Sequence, residues 1–169
     1  MIKKIKGNIF NTSCQTLVNT VNCVGVMGKG IAFECKLRFP EMFEKYKEFC
    51  EKKLIKPGSL QLWNSSKPWV LNFPTKIHWK DPSKIEYLHE GLDKFKNEYS
   101  KKNITSIAFP LLGASLGGLS EELVYETMTK YLEPLNNIDI EIYEYDANAG
   151  DDLFNLFHQK VWRFSIDDY

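Results

Sequence analysis

Asn19-Thr-Val-Asn-Cys-Val-Gly-Val-Met-Gly-Lys-Gly30 joins a β-branched, apolar run to the segment Ile31-Ala-Phe33. Thr16 to Asn22 has the composition of a strand buried on both faces. Gly30 to Arg38 reads as a short helix that stops before Pro40. A strand passing through a glycine loop into a helix is the repeating unit of a layered α/β domain. Gly25, Gly28 and Gly30 allow a sharp turn or a close approach of backbone to a ligand. Such a loop directs free N–H groups at the helix start toward an anion. A plain tight turn would use the same glycines, so this loop alone does not separate the two readings. It is not a Walker motif, because no G-K-[ST] follows, and it is not the G-x-G-x-x-G dinucleotide fingerprint.

A second loop, Pro110-Leu-Leu-Gly-Ala-Ser-Leu-Gly-Gly118, repeats the strand-loop-helix plan. Two such loops at neighbouring strand ends could clamp both phosphates of a diphosphate. The remaining pattern fits the same architecture. Met1 to Lys6 alternates apolar and basic residues, as a strand with one wet face does. Pro40 is placed to begin a helix, which carries Met42, Phe43, Tyr46, Phe49 and Cys50 at helical spacing. Leu60 to Trp63 and Trp69 to Phe73 read as strands around the turn-rich Asn64 to Pro68. Ser83 and Glu86 form a capping-box pattern ahead of a stripe of Leu88, Leu92, Phe95 and Tyr99. Ile104 to Phe109 reads as a strand. Leu123, Val124, Met128, Tyr131 and Leu132 mark a helix, Ile138 to Tyr145 the last strand, and Asp151 to Trp162 a final helix. Strands alternating with helices predict a mostly parallel sheet. Ligands of such sheets bind outside the carboxyl ends of the strands, here the loops after Asn22, Phe73, Pro110 and Tyr145.

Composition narrows the function. A length of 169 residues suits one domain over the whole chain, and 43% apolar residues suffice for a core. Lysine plus arginine equals aspartate plus glutamate, at 22 each, so no long-range field draws polyanions and a coat of duplex DNA is disfavoured. Cys14, Cys23, Cys35 and Cys50 show no metal-finger spacing, and no metal or cofactor is expected. The first residues lack a signal-peptide pattern and no apolar run spans a bilayer. A reduced, cytoplasmic protein with free thiols is the expectation.

The Asn19 to Ala32 segment resembles the first ligand loop of macrodomains, and Gly113 to Gly118 resembles their second, diphosphate-binding loop. Asn72-Phe-Pro-Thr-Lys-Ile-His-Trp79 is similar to a segment of the DarG branch, the DNA ADP-ribosyl glycohydrolase antitoxins. A mammalian terminal ADP-ribose protein glycohydrolase has a comparable Thr-Lys pair. The resemblance runs from about Met1 to Tyr145. It implies a three-layer α/β/α macrodomain with a mixed, mostly parallel central sheet. It also implies binding of ADP-ribose, residue by residue. Gly7, Asn8 and Ile9 match the segment that receives adenine; many macrodomains carry Asp where this chain has Asn8, which can still accept from the adenine amino group. Asn22 matches an asparagine near the distal ribose. Gly25, Val26, Met27, Gly28, Lys29 and Gly30 would wrap that ribose and one phosphate. Gly113, Ala114, Ser115, Leu116, Gly117 and Gly118 would meet the phosphates, so an acidic substitution at Gly117 should abolish binding. Thr75 would line the ligand, and Tyr145 matches an aromatic beside it.

In isolation, Lys76 would read as a solvated surface charge. In the related glycohydrolases the matching lysine attacks the anomeric carbon of the distal ribose. An amine attacks only when neutral, so such a lysine needs burial or a neighbouring cation. The mammalian relative has a catalytic Asp where this chain has Gly117, which leaves the general acid unassigned. His78 is a candidate for that role, beside helix capping or packing. Trp79 is a candidate for stacking on a nucleobase, beside loop anchoring. His89 and His158 read as structural. The resemblance implies release of ADP-ribose from single-stranded DNA by a monomer, with a toxin ADP-ribosyltransferase as partner. Two alternatives stand: a reader of ADP-ribose without turnover, and a hydrolase of O-acetyl-ADP-ribose or ADP-ribose 1″-phosphate.

Overall fold

The computed structural model describes residues 1–150; the helix expected over 151–162 lies outside the described residues. The strands are β1 (Ile2–Gly7), β2 (Thr16–Val21), β3 (Gln61–Trp63), β4 (Trp69–Pro74), β5 (Ser106–Pro110) and β6 (Asp139–Tyr145). The helices are α1 (Gly30–Arg38), α2 (Pro40–Glu51), α3 (Ile85–Glu98) and α4 (Glu121–Leu132), with one 3-10 turn at Ile9–Asn11. One six-stranded sheet runs β1-β6-β5-β2-β4-β3. Every pairing is parallel except β3 on β4, because only that pair is joined by a short turn and not by a helical crossover. The mixed, mostly parallel sheet is the one expected.

Alternation along the strands divides the core in two. Val18, Leu71, Phe73, Ile107, Phe109, Ile140 and Ile142 pack with Leu88, Leu92 and Phe95 of α3 and Val124, Met128 and Leu132 of α4. Leu17, Val21, Val70, Ala108 and Tyr143 point the other way, toward Cys35 of α1 and Met42, Phe43, Tyr46 and Cys50 of α2. Side chains alternate with period 2, so covering both faces makes the strands read as nearly continuous apolar runs. No described helix is long and apolar enough to cross a membrane.

The capping box does not form. Lys84 is the N-cap of α3 and makes no side-chain cap bond. Ser83 is instead buried, its N–H donating to the Gly117 carbonyl at 2.9 Å. The Gly113–Gly118 loop packs onto Ser83 and takes it away from the helix end. Leu123, counted in the apolar stripe of α4, is exposed.

One helix glycine is fixed by packing. Gly91 lies on the buried stripe of α3 with Leu88, Leu92 and Phe95, and a Cβ there would collide with the Phe73 ring. Alanine is the better helix former by about 1 kcal/mol, yet overpacking a core costs ~1–3 kcal/mol. With Phe73 fully buried the clash dominates. Gly91→Ala should therefore lower the thermal midpoint by roughly 2–4 °C, for a net loss of about 1 kcal/mol. An unchanged or raised midpoint in a calorimetric melt would show that Phe73 moves aside at no cost.

Candidate functional site

The strand order sets the candidate residues side by side. Reading across the parallel strands β1, β6, β5, β2 and β4, their carboxyl ends carry Gly7–Ile9, Tyr145, Gly113–Gly118, Asn22–Gly30 and Thr75–Trp79 in turn. Four strand spacings of ~4.8 Å make a row roughly 19 Å long, suited to an extended dinucleotide-like ligand. Val24, Val26, Ile77, Trp79, Leu116 and Tyr145 are large apolar side chains left exposed at this end, as binding surfaces are.

Asn22 organises the first loop. Its Oδ1 accepts from Val24 N at 3.1 Å and Val26 N at 3.4 Å, and its Nδ2 donates to Val26 O at 2.7 Å. The Tyr46 hydroxyl donates to Asn22 O and Oδ1 at 2.8 and 2.9 Å. Burial pushes the Tyr46 phenol upward, with Cys50 adding to the effect, so it stays protonated and keeps donating. Asn22 is thus largely committed to folding the loop, and its second amide hydrogen is what remains for a ribose hydroxyl. Met27 is buried inside the loop, while Gly28, Lys29 and Gly30 are exposed. Lys29 is the N-cap of α1 without a side-chain cap bond, so the first-turn N–H groups are not capped by its side chain and suit an anion.

The second loop approaches the first. Gly30 faces Leu116, whose Cδ1 would lie 3.4 Å from a Cβ on that glycine. The N–H groups of Ser115, Leu116, Gly117 and Gly118 donate to no backbone carbonyl among the described residues. Helix α4, in contrast, is capped by its own Ser120, whose side chain accepts from Leu123 N. Anion donors in this loop are therefore those of the loop itself. Gly117 is buried against Ser83 and the Gly113 carbonyl.

Lys76 closes the arrangement from the β4 side. Its Nζ donates to Leu116 O at 2.9 Å and to Trp79 O at 3.3 Å. Thr75 is buried and its N–H donates to Val21 O, while Cys23 N donates to Ile77 O. The ends of β2 and β4 are thereby stitched together just where the lysine emerges. Cys23 Sγ donates to Lys76 O at 3.3 Å; burial, then the charge of Cys50, pushes its thiol up to about 11, so it is a donor and not a nucleophile. His78 accepts at Nδ1 from Lys80 N at 3.2 Å, a bond that shapes the turn.

At the other end, Asn8 caps the 3-10 turn. Its Oδ1 accepts from Phe10 N at 2.9 Å and its Nδ2 donates to Ala149 O at 3.4 Å. Ile9 is buried, and Tyr145, paired in register with Gly7, is exposed.

The Macro domain family model matches residues 18–128 of this chain. The chain is a macrodomain. A curated relative from Mycobacterium tuberculosis, called DNA ADP-ribosyl glycohydrolase, is 39% identical over 85% of the chain and 42% of the relative. The chain spans about two fifths of the length of the relatives called DNA ADP-ribosyl glycohydrolase. The solved macrodomain of Thermus aquaticus DarG is 36% identical, with a TM-score of 0.81 over 85% of this chain and 98% of that one. Thermosipho africanus DarTG in complex with ADP-ribose is 34% identical, with a TM-score of 0.80 over 89% of this chain and 43% of that one.

The macrodomain also contains a polar element that its sequence did not announce. Asn19, Asn72 and Gln61 stand side by side on β2, β4 and β3. Asn19 Nδ2 donates to Asn72 Oδ1 at 3.0 Å, and Asn72 Nδ2 donates to Gln61 Oε1 at 3.1 Å. Met27 and Met42 sulfurs cover this ladder. Buried amides demand partners, so the ladder disfavours a register slip between β2 and β4, which carry Asn22 and Lys76. Part of the signal lay in the sequence, in Asn72 within an otherwise apolar β4, but the pairing of the three amides did not.

Proposed function

We propose that this macrodomain is an ADP-ribosyl glycohydrolase that removes ADP-ribose from ADP-ribosylated DNA bases. It would reverse the mark of a toxin ADP-ribosyltransferase, acting as a monomer in the cytoplasm. The observation that carries the reading is Lys76 Nζ held at the Leu116 carbonyl, at the junction of both glycine loops. The names of the relatives support the substrate class. With the diphosphate on the N–H groups of the second loop and of the α1 start, the distal ribose falls near Asn22 and Lys76. Lys76 Nζ then attacks the anomeric carbon through its nitrogen lone pair. The bond to the nucleobase breaks, its electron pair leaves with the base, and the base takes up a proton. Water subsequently releases ADP-ribose and restores the amine.

The test compares an ADP-ribosylated single-stranded oligonucleotide, an ADP-ribosylated acidic peptide and unmodified duplex DNA. Release of ADP-ribose should be much faster from the oligonucleotide than from the peptide. Unmodified duplex should bind weakly, because the net charge is zero and duplex affinity comes from many phosphate contacts. Faster release from the peptide would overturn the substrate class. ADP-ribose binding with release from neither substrate would make the protein a reader.

A further inference from the structure

The turn between β4 and α3 carries a feature that the reaction does not use. Trp79 leaves 49% of its surface exposed. Its backbone does structural work: its carbonyl accepts from Lys76 Nζ at 3.3 Å, and the turn closes through Asp81 N donating to His78 O. The ring is not needed for either bond, and a loop anchor would bury it. The His78 ring lies 5.3 Å away, tilted by 31°, and Lys80 Nζ lies 5.1 Å from the Trp79 ring centroid. Those neighbours support the ring and leave about half of it open. Ile77 beside it is 49% exposed. Lys80 and Lys84 are both exposed on the same short segment, against the single carboxylate of Asp81. Because the whole chain is neutral, this positive charge is local.

We propose that Ile77 to Lys84 forms a ledge for the single-stranded nucleotides that flank the modified base, with Trp79 as a stacking platform and Lys80 and Lys84 as phosphate contacts. The inference rests on the glycohydrolase reading above, since the ledge is placed by the nucleophile. The base that departs must lie next to the carbon that Lys76 attacks. Trp79 holds the amine through its carbonyl, so its ring is one residue's reach from the leaving base. A base in a strand brings neighbours and phosphates with it, and an exposed indole beside lysines is the chemistry that receives them. An acidic peptide would match the lysines but would leave the indole without a partner.

The experiment measures kcat/KM for an ADP-ribosylated single-stranded oligonucleotide and for the matching ADP-ribosylated nucleoside, which has no flanking bases. In Trp79→Ala the ratio of the two should fall about ten-fold, the scale of one lost base stack. Trp79→Phe should keep most of the ratio. In Lys80→Gln with Lys84→Gln, the log–log salt slope of oligonucleotide binding should flatten by roughly 0.7 per lysine. An unchanged ratio, or equal losses on oligonucleotide, nucleoside and ADP-ribosylated peptide, would overturn the ledge. If the wild-type protein releases ADP-ribose from neither nucleic-acid substrate, the glycohydrolase reading fails by itself. The ledge is then read from the affinity of the intact ADP-ribosylated oligonucleotide relative to free ADP-ribose, with the same ten-fold loss expected in Trp79→Ala and no loss overturning it.

Discussion

Lys76→Ala should leave ADP-ribose affinity little changed and reduce release of ADP-ribose from modified DNA by roughly 10³-fold or more, the scale of losing a covalent nucleophile. Binding survives because the diphosphate is held by backbone N–H groups of two loops, not by this side chain. The geometry supplies a sharper control than the alanine variant alone. Lys76 Nζ also ties Leu116 O to Trp79 O, so losing it removes a tether between the second loop and the end of β4. A guanidinium can donate to both carbonyls but stays protonated and cannot attack. Lys76→Arg should therefore keep the tether and still fail to turn over. If Arg restores substantial activity, the lysine is a clamp; if Ala keeps near-normal single-turnover rates at saturating enzyme, the hydrolase reading loses its main support.

The elements were legible because their signals are local. Strand composition, Pro40 at a helix start and the stripe of α4 depend on a few neighbouring residues, and each element expected within residues 1–150 was found within a few residues of its expected bounds. The loops were legible as loops, since glycines after buried strands have few other uses. What escaped depends on contacts between distant segments. Ser83 and Glu86 satisfy the local rule for a capping box, yet Ser83 N is claimed by Gly117 O, more than thirty residues on. The loop-folding bonds of Asn22 also escaped, because they join it to Val24 and Val26 and to Tyr46 on the distant helix α2. Gly91 shares the spacing of Leu88, Leu92 and Phe95, but only the packing of α3 on the sheet sets the Phe73 ring against it. The amide ladder needs the strand order, because Asn19, Asn72 and Gln61 become neighbours only once β2, β4 and β3 are paired.

Gly117→Ala should weaken ADP-ribose binding by roughly ten-fold or more, with one methyl group and no charge. A Cβ at Gly117 would collide with the Gly113 carbonyl and with Ser83 Oγ. Ser83 is buried and cannot swing out, so the loop must move, and overpacking of this kind costs ~1–3 kcal/mol, or several-fold to over 100-fold in affinity. The sequence reading assigned the sensitivity of this position to charge and bulk against a diphosphate; the geometry assigns it to the loop's own packing. Gly28→Glu separates the two causes. Gly28 is exposed and its Cβ would meet only Val26 Cγ1, at 3.6 Å, so a carboxylate is added without refolding the loop. Its loss of affinity should shrink as salt rises, because repulsion between exposed charges is screened, whereas the Gly117→Ala loss should not. Gly117→Asp, which restores the residue of the mammalian relative, should likewise disrupt the loop and give no faster turnover. Calorimetric titration with ADP-ribose at low and high salt reads binding in all three variants, and single-turnover release reads the rate of Gly117→Asp. Wild-type affinity in Gly117→Ala would mean that the loop yields freely, and the packing account of this glycine would be wrong.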